Sequence, residues 1–535
     1  MRGKSDIFTP VIRDADSVSP RLTNCWRSSD ERDAVTAILR EVDRYCSKEI
    51  DGAAIDKRHA LGQETLTAIG ERGWFGLTVP EEFDGAGLSM TAAAHVASEI
   101  CSYNGSLGTC VGLHSGLALY GLLHLASREL QERYLPEIAA GERIAAFCAT
   151  EPNAGSDIAA MRTVLSERDG VLRLNGSKCY VTNGGFAGIL TVVAASPGMG
   201  GAKGGHTMIV VDPSWAGVVK QPEENKLGLK GSSTISIDFE DVEIPQSHVV
   251  GEFSKGLELA HESLTWGRSF MAAGCLGAAK AAVVETREHI AVRKQFGRTL
   301  DQFPLVREQM AGCVADVYAI ESMLRLVCDI FDSKSGEIAL ESTALKVLAS
   351  ERTWSVCDRG IQLMGGAGYM EDTGMPRRLR DVRVTRIFEG ANDVLKLHLA
   401  MATLGWNRAG LLDIPKLESR VPDCLRVSAG RFDELLARLG QELAVVQRKH
   451  GFKLFQKQCL QSVMAEVIIP LYGMLAVLLR AMGVVVGDSS AAESAEVATA
   501  LLSLRRLELE AIAALSVLCG EDEGAAGLVD RVLGS

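Results

Sequence analysis

The spacing of apolar positions changes twice along the chain. From about Asp30 to Gly141 it is helical, with Leu61, Leu66, Ile69 and Trp74 leading to a loop at Val79–Gly85, then Ala92–Ile100, Leu117–Leu122 and Ser127–Leu135. Near Ala145 the period falls to two. Val171–Leu174 and Thr234–Phe239 alternate, and Ile189–Ala194 and Met208–Val211 read as short buried strands, separated by the Gly-rich stretch Gly198–Gly205. Asp169-Gly170 and Asn175-Gly176 read as hairpin turns. Beyond Gly251 helical spacing returns through Leu257–Arg287, Val306–Ser333 and Glu341–Gln362, breaks at Gly365–Gly368, and restarts near Glu389. Residues 405–425, with Pro415 and Pro422, read as a connector, and Arg431–Leu533 as further helix.

This order predicts an α+β protein in five parts. They are an irregular N-terminus at 1–30, a helical domain at 31–144, a β domain at 145–250, a second helical bundle at 251–404, and an additional helical domain at 405–535.

Composition removes several alternatives. A chain of 535 residues is too long for one ordinary core, and 47% hydrophobic residues supply ample material for more than one. The net charge of −12, with no Lys/Arg-rich run, argues against nucleic acid as a partner. The longest apolar run, Val467–Leu479, contains Pro470 and is too short to span a bilayer as a helix. The 13 cysteines are scattered, without a C-x-x-C pair or a His cluster, and some lie in apolar runs, as Cys328 and Cys519 do. They read as buried thiols of a reducing compartment, with no metal site. Near the N-terminus Arg2, Lys4, Arg13 and Arg21 are interrupted by Asp6, Asp14 and Asp16, and no apolar segment follows, so secretion is not expected.

The common nucleotide, hydrolase and metalloprotease motifs are missing, but three segments carry candidate chemistry. Phe147–Asp157 (FCATEPNAGSD) follows a β-like run. Its hydroxyls and backbone N–H groups suit the polar edge of a flavin, or an ordinary Ser/Asx turn. Arg293-Lys294-Gln295-Phe296-Gly297 ends a long helix, where an arginine complements the helix dipole or grips a pyrophosphate. Gln362–Tyr369 (QLMGGAGY) precedes Arg386–Asp393 (RIFEGAND). Glu389 there is either a buried base or a first-turn glutamate at a helix N-terminus.

Together, in this order and context, the three segments resemble the acyl-CoA dehydrogenase family from about residue 35 to the end. The extra helical region, with Arg448-Lys449-His450-Gly451 and Leu471-Tyr472-Gly473-Met474, resembles the very-long-chain branch and its paralogue in complex I assembly; most other branches end near the position of Leu404. The resemblance implies the family's N-terminal helical, middle β and C-terminal helical domains plus an appended helical domain. It also implies FAD as cofactor, and oxidation of long or very-long-chain acyl-CoA to trans-2-enoyl-CoA in fatty acid β-oxidation. Glu389 matches the catalytic base; the family's alternative base position falls on Gly267, which cannot serve. Phe147, Thr150, Ser156, Tyr180, Val181, Thr182, Arg293, Phe296, Gln362, Gly365, Gly366, Ala391, Asn392 and Asp393 match cofactor positions, Arg293 and Phe296 across a dimer interface. Ser156, Arg268, Phe388 and Gly390 match substrate positions. Tyr180 stands where Trp is usual, and Ala391 where Thr is usual. Gly108 and Gly112 lie near the stretch that closes the acyl pocket in shorter-chain relatives, and suit either a deeper channel or close helix packing.

The partners implied are acyl-CoA, an electron-transfer flavoprotein, a second copy of the chain in a homodimer, and an anionic membrane surface. The membrane contact would be made through Arg448, Lys449, Lys453 and Lys457, whose spacings put several on one helical face, with Phe452 and Phe455 nearby; the other reading is that these charges are solvated and the apolar residues pack against the core. The implied location is intracellular, mitochondrial on the matrix side in a eukaryote and cytoplasmic in a bacterium. An acyl-CoA oxidase, or an assembly protein that has kept the fold, are the alternatives.

Overall fold

A computed structural model describes residues 7–201, 204–403 and 415–520. Residues 404–414, which take in the first part of the connector expected at 405–425, and the segment 521–535, expected as helix to Leu533, lie outside the described residues, as do residues 1–6 and 202–203.

The N-terminal segment departs from expectation. Thr9–Arg13 and helix α1 (Ala15–Thr23) are regular, and Phe8, Ile12 and Leu22 are fully buried. These pieces are too short to hold alone, and Pro10 and Pro20 mask their period. Tertiary contact stabilises them: the Phe8 ring meets Tyr472 edge-on at 6.0 Å and Phe432 at 6.4 Å.

The first helical domain follows. Helix α2 (Ser29–Glu49) starts where the Ser28 hydroxyl accepts the Glu31 N–H at 3.1 Å. Helix α3 (Met90–Tyr103) is capped by Ser89, and helix α4 (Gly105–Leu113) by Asn104, which accepts the Leu107 N–H at 2.9 Å. A π-helical turn, His114–Ala118, interrupts the predicted run Leu117–Leu122. His114, buried, donates from Nε2 to the Phe75 carbonyl at 2.9 Å and accepts the Ala145 N–H at Nδ1 at 2.8 Å, fixing this turn to the start of the sheet.

Eight strands form one mixed sheet: β1 (Ile144–Cys148), β2 (Val164–Arg168), β3 (Val171–Thr182), β4 (Ala187–Ala195), β5 (His206–Val211), β6 (Val218–Glu223), β7 (Thr234–Ile244) and β8 (Val249–Val250). Their order is β6-β7-β3-β2-β4-β5-β8, with β1 paired parallel to β4. Asp169-Gly170 makes the β2–β3 hairpin turn, both residues at positive φ. Asn175-Gly176 is no turn. It sits inside β3 at a break in register with β7, where the Asn175 side chain accepts the Asp241 N–H at 2.8 Å. A Cβ on Gly176 would lie 2.5 Å from Thr163 Cα, so the glycine serves a bulge and a close backbone approach.

The second bundle is built on helices α5 (Gly256–Val292), α6 (Pro304–Asp332), α7 (Ala339–Met364), α8 (Met375–Arg383) and α9 (Asn392–Ala402). The appended domain adds α10 (Asp423–His450), α11 (Gln458–Gly487) and α12 (Ala495–Gly520). Helix α11 is the core of this end, packed against α12, α1, α6, α7, α9 and α10. Charge pairs fasten the appended domain to the bundle: Arg480 to Glu321 at 2.9 Å, Arg506 to Asp316 at 3.0 Å, and Glu510 to Arg352.

Three further expectations change. The run Val467–Leu479 continues into the 30-residue α11, which is apolar enough to cross a membrane by length and composition, as is Gly105–His124; 83% and 78% of their apolar windows are buried inside the fold. All 13 cysteines are free and Cys328 is buried, but Cys519 is exposed on the outer face of the last helix. Arg448, Lys449, Lys453 and Lys457 do not share one helical face. Gly451, in the left-handed region at φ 51°, ends α10, and a 3-10 turn over Gly451–Gln456 places the four at a corner between two helices.

Candidate active site

The site is organised by the turn that leads into α9. Glu389 and Gly390 both have positive φ, 53° and 100°. A left-handed glutamate is strained and persists only where its surroundings hold it. Two buried cations do so. Arg268 Nε donates to the Glu389 carbonyl at 3.2 Å, and Lys346 Nζ donates to the Gly390 carbonyl at 2.8 Å. Ala391 is the residue before the helix, so Glu389 is not a first-turn glutamate facing the helix dipole. Its carboxylate is buried, and neither oxygen has a hydrogen-bond partner among the described residues. Burial pushes its pKa up to about 7, against the opposing charges of Lys346 and Arg268.

Two cavities meet at this carboxylate. The larger, about 530 Å³, is lined by Phe147 on β1, by Thr150 and Ser156 from the loop after it, by Tyr180 and Thr182 at the end of β3, and by Arg268 and Phe388–Gly390. The narrower, about 60 Å³, runs between α4, α5 and α8, past Gly108, Gly112, Phe270 and Gly274. Leu113, Phe388 and Glu389 line both. A Cβ at Gly267 would come within 3.1 Å of Glu389 Oε2, so that position reaches the same space and its glycine leaves room for the carboxylate. The two helix glycines divide between their readings. A Cβ at Gly108 would lie 2.8 Å from Cys101 Cα, which is close packing, whereas one at Gly112 would meet nothing within 4 Å.

A buried ion pair joins the loop after β1 to β3. Lys178 Nζ donates to Glu151 Oε1 at 2.8 Å and to the Ala149 carbonyl at 3.0 Å, and Glu151 accepts the Thr163 N–H at 2.9 Å. This holds Thr150 opposite Tyr180, whose ring is 67% exposed on a left-handed backbone. Val181 turns its side chain into the sheet core, away from the cavity.

The remaining sequence candidates divide between internal bonds and a separate surface. Arg268 lines the large cavity, but its Nη1 also donates to Thr343 Oγ1 at 3.1 Å, so two of its nitrogens are committed inside the chain. The Asn392 side chain is likewise engaged internally, donating to Ser350 and Glu351 and accepting from Lys346. Asp393 is exposed in the first turn of α9. Arg293, Phe296, Gln362, Gly365 and Gly366 line neither cavity. They form a separate exposed group, Phe296 at 93% exposure, drawn together by Ile290 and Leu363 in a small cluster beneath. Lys346 and the Glu151–Lys178 pair were not singled out from sequence. The available signal was a lone lysine within Ala344–Ala349, an otherwise apolar run, where a buried charge demands a partner.

The arrangement is that of a multidomain protein with helical domains on either side of a β domain and a buried, unpartnered carboxylate at the junction of its cavities. The acyl-CoA dehydrogenase N-terminal domain profile matches residues 32–142, the middle domain profile 146–242, and the C-terminal domain profile 254–404. The chain belongs to the acyl-CoA dehydrogenase family. It is 36% identical over 422 residues to the very long-chain specific acyl-CoA dehydrogenase, mitochondrial, of Bos taurus, covering 78% of this chain and 63% of that protein's length. It is 33% identical to the short-chain specific enzyme of Clostridium acetobutylicum, over 69% of this chain and 96% of that one. Among solved structures, the acyl-CoA dehydrogenase of Bacillus anthracis complexed with FAD aligns with a TM-score of 0.83 and 26% identity, over 92% of this chain and 88% of its own. Butyryl-CoA dehydrogenase of Megasphaera elsdenii aligns at 0.67 and 26% over 70% of this chain but 98% of its own, as expected where the appended domain is missing.

The raised Glu389 pKa has a consequence for stability. A carboxyl whose folded pKa lies above its ordinary value adds stability below that ordinary value, and loses it as pH rises to and through about 7. Glu389→Gln, which mimics the protonated form, is therefore expected to stabilise the protein at pH 8 by about 1–3 kcal/mol relative to wild type, with the gain vanishing near pH 4. Urea unfolding at the two pH values checks this; an equal effect at both would show that the carboxylate is not desolvated.

Proposed function

We propose that the chain is an FAD-dependent enzyme of fatty acid β-oxidation that converts long or very-long-chain acyl-CoA to trans-2-enoyl-CoA. The observation that carries the proposal is the unpartnered Glu389 carboxylate at the meeting point of a wide polar-edged cavity and a narrow apolar one. A thioester carbonyl makes the neighbouring C–H weakly acidic, and a base with a pKa near 7 is matched to removing that proton at neutral pH. The Glu389 carboxylate takes the α-proton, and the Glu389 backbone N–H holds the thioester oxygen as charge develops on it. The narrow cavity receives the acyl tail, with the open face of Gly112 giving it depth.

The wide cavity fits FAD. Hydroxyls of Thr150, Ser156 and Thr182 offer hydrogen bonds, and Phe147 and the exposed Tyr180 ring offer apolar faces for a planar ring system. When bound, FAD supplies the acceptor for the hydrogen leaving the β-carbon as hydride. The FAD-complexed Bacillus anthracis relative supports this reading. The separate exposed group of Arg293, Phe296 and Gln362–Gly366 is explained if it reaches the cofactor of a second copy, which makes the protein a homodimer. An electron-transfer flavoprotein is the proposed re-oxidant. The proposed location is intracellular, on the matrix side of mitochondria in a eukaryote and cytoplasmic in a bacterium. The corner carrying Lys453, Lys457 and the exposed Phe452 and Phe455 is proposed to rest on an anionic membrane, where long acyl-CoAs partition.

Anaerobic flavin bleaching by acyl-CoAs of increasing length tests the reaction. Long chains are expected to bleach fastest, and Glu389→Gln to keep FAD while slowing bleaching by at least about 10²–10⁴-fold. A Gln variant as fast as wild type removes the base assignment. Light scattering is expected to give a dimer; a stable monomer contradicts the shared cofactor site. In flotation with anionic liposomes, wild type is expected to co-float at low salt and not at high salt, since each basic residue near the surface contributes about 1 kcal/mol. Equal binding by a Phe452→Ser/Lys453→Ala/Lys457→Ala variant would leave that corner without a membrane role.

A further inference from the structure

Lys346 is a fully buried lysine on α7, surrounded by apolar residues of its own helix. Burying an ammonium is costly, and a helix packed on all sides has no need of one. Its contacts show where the charge is directed. Nζ donates to the Gly390 carbonyl at 2.8 Å and to Asn392 Oδ1 at 2.7 Å, the two groups that follow the Glu389 turn. Asn392 in turn donates to Glu351 at 2.8 Å, and Glu351 is held by Arg386 at 2.9 Å. The chain Lys346–Asn392–Glu351–Arg386 thus grips the segment 386–392 from α7, while Arg268 grips the Glu389 carbonyl from α5. Neither cation forms a hydrogen bond with the Glu389 carboxylate, which is left unpartnered.

We propose that Lys346 is a positioning residue for Glu389: its ammonium pins the turn through Gly390 and places a fixed positive charge behind the carboxylate without occupying either oxygen. A direct salt bridge would quench the base. A cation held one peptide group away favours ionisation yet leaves both oxygens free for substrate. Charged and titratable groups around the pair are few. Arg268 and Cys275 on α5 interact with Glu389, and Glu351 on α7 acts on Lys346. His261 on α5 and His398 on α9 line the same cavity. Of these, Lys346 and Arg268 are the ones that draw the Glu389 pKa down against burial, Lys346 being the larger influence.

The inference rests on Glu389 being the base, so its test reads the carboxyl group directly, in substrate-free protein. The protonated Glu389 carboxyl band, assigned in infrared difference spectra by its loss in Glu389→Gln, is followed against pH. Wild type is expected to titrate near 7. Lys346→Met, close in shape but uncharged, is expected to titrate higher by about one unit or more, since an opposing charge nearby is worth one to three units. The pH profile of flavin bleaching should move upward with it, with little change in acyl-CoA affinity. A folded Met variant with the wild-type midpoint overturns the proposal. If the Met variant does not fold, Lys346→Gln decides, being uncharged but still able to donate a hydrogen bond: an upward shift supports the proposal and an unchanged midpoint overturns it. If acyl-CoA bleaches no flavin even in wild type, the proposed reaction fails, while the infrared titration still decides the role of Lys346.

Discussion

A carboxylate buried at the junction of two cavities, with no hydrogen-bond partner among the described residues, is the constraint around which this molecule is arranged. Burial makes ionisation of Glu389 unfavourable and pushes its pKa up to about 7, against the opposing charges of Lys346 and Arg268. The same two cations also hydrogen-bond the backbone of its turn. Electrostatics and geometry are therefore set by the same contacts. The left-handed conformation of Glu389 is maintained by the hydrogen bonds that also supply the positive field.

The larger architecture supplies the elements that make those contacts. Arg268 and Lys346 come from α5 and α7, which pack along each other over a long interface. Helix α5 also carries Gly267, so one helix contributes both the cation under the turn and the space beside it. The sheet contributes the opposite wall. Its placement relies on His114, which joins the π-helical turn to β1, and on the Glu151–Lys178 pair, which joins the loop after β1 to β3. The appended helices lie away from both cavities. They cover the outer faces of α6 and α7 through α11 and the ion pairs of Arg480 and Arg506, and they hold the N-terminal helix α1 in place.

Several elements were legible because local patterns and tertiary demands agree in them. Strands β4, β5 and β7 and helices α5, α6 and α7 fall where apolar spacing put them, since each buries one consistent face or is buried throughout. Disagreement arose where a short-range signal served a long-range contact. Asn175-Gly176 has the composition of a turn, but the Gly176 backbone is needed against Thr163. Thr9–Thr23 carries prolines and little helix-forming strength, yet it is ordered by Tyr472 and Phe432, some four hundred residues away in sequence. The basic residues near Gly451 read as one face because spacing alone does not reveal that a left-handed glycine ends the helix between them.

The sequence by itself determined the succession of helical, β and helical regions and the family, because these depend on residue types and spacings that are local in the chain, and it singled out Glu389 as the candidate carboxylate. Of the cofactor positions the resemblance implied, Phe147, Thr150, Ser156, Tyr180 and Thr182 line one cavity, whereas Val181 faces the sheet core. Only the tertiary structure decided that Arg293 and Phe296 stand apart from that cavity, that Gly112 is open while Gly108 is packed, and that Asn392 is spent on internal bonds. The physical reason is that solvation and field at a site are sums over groups from distant segments. Glu389 is a common residue, and its carboxyl pKa is raised to about 7 only where α5, α7 and the turn before α9 converge to bury it beside two cations.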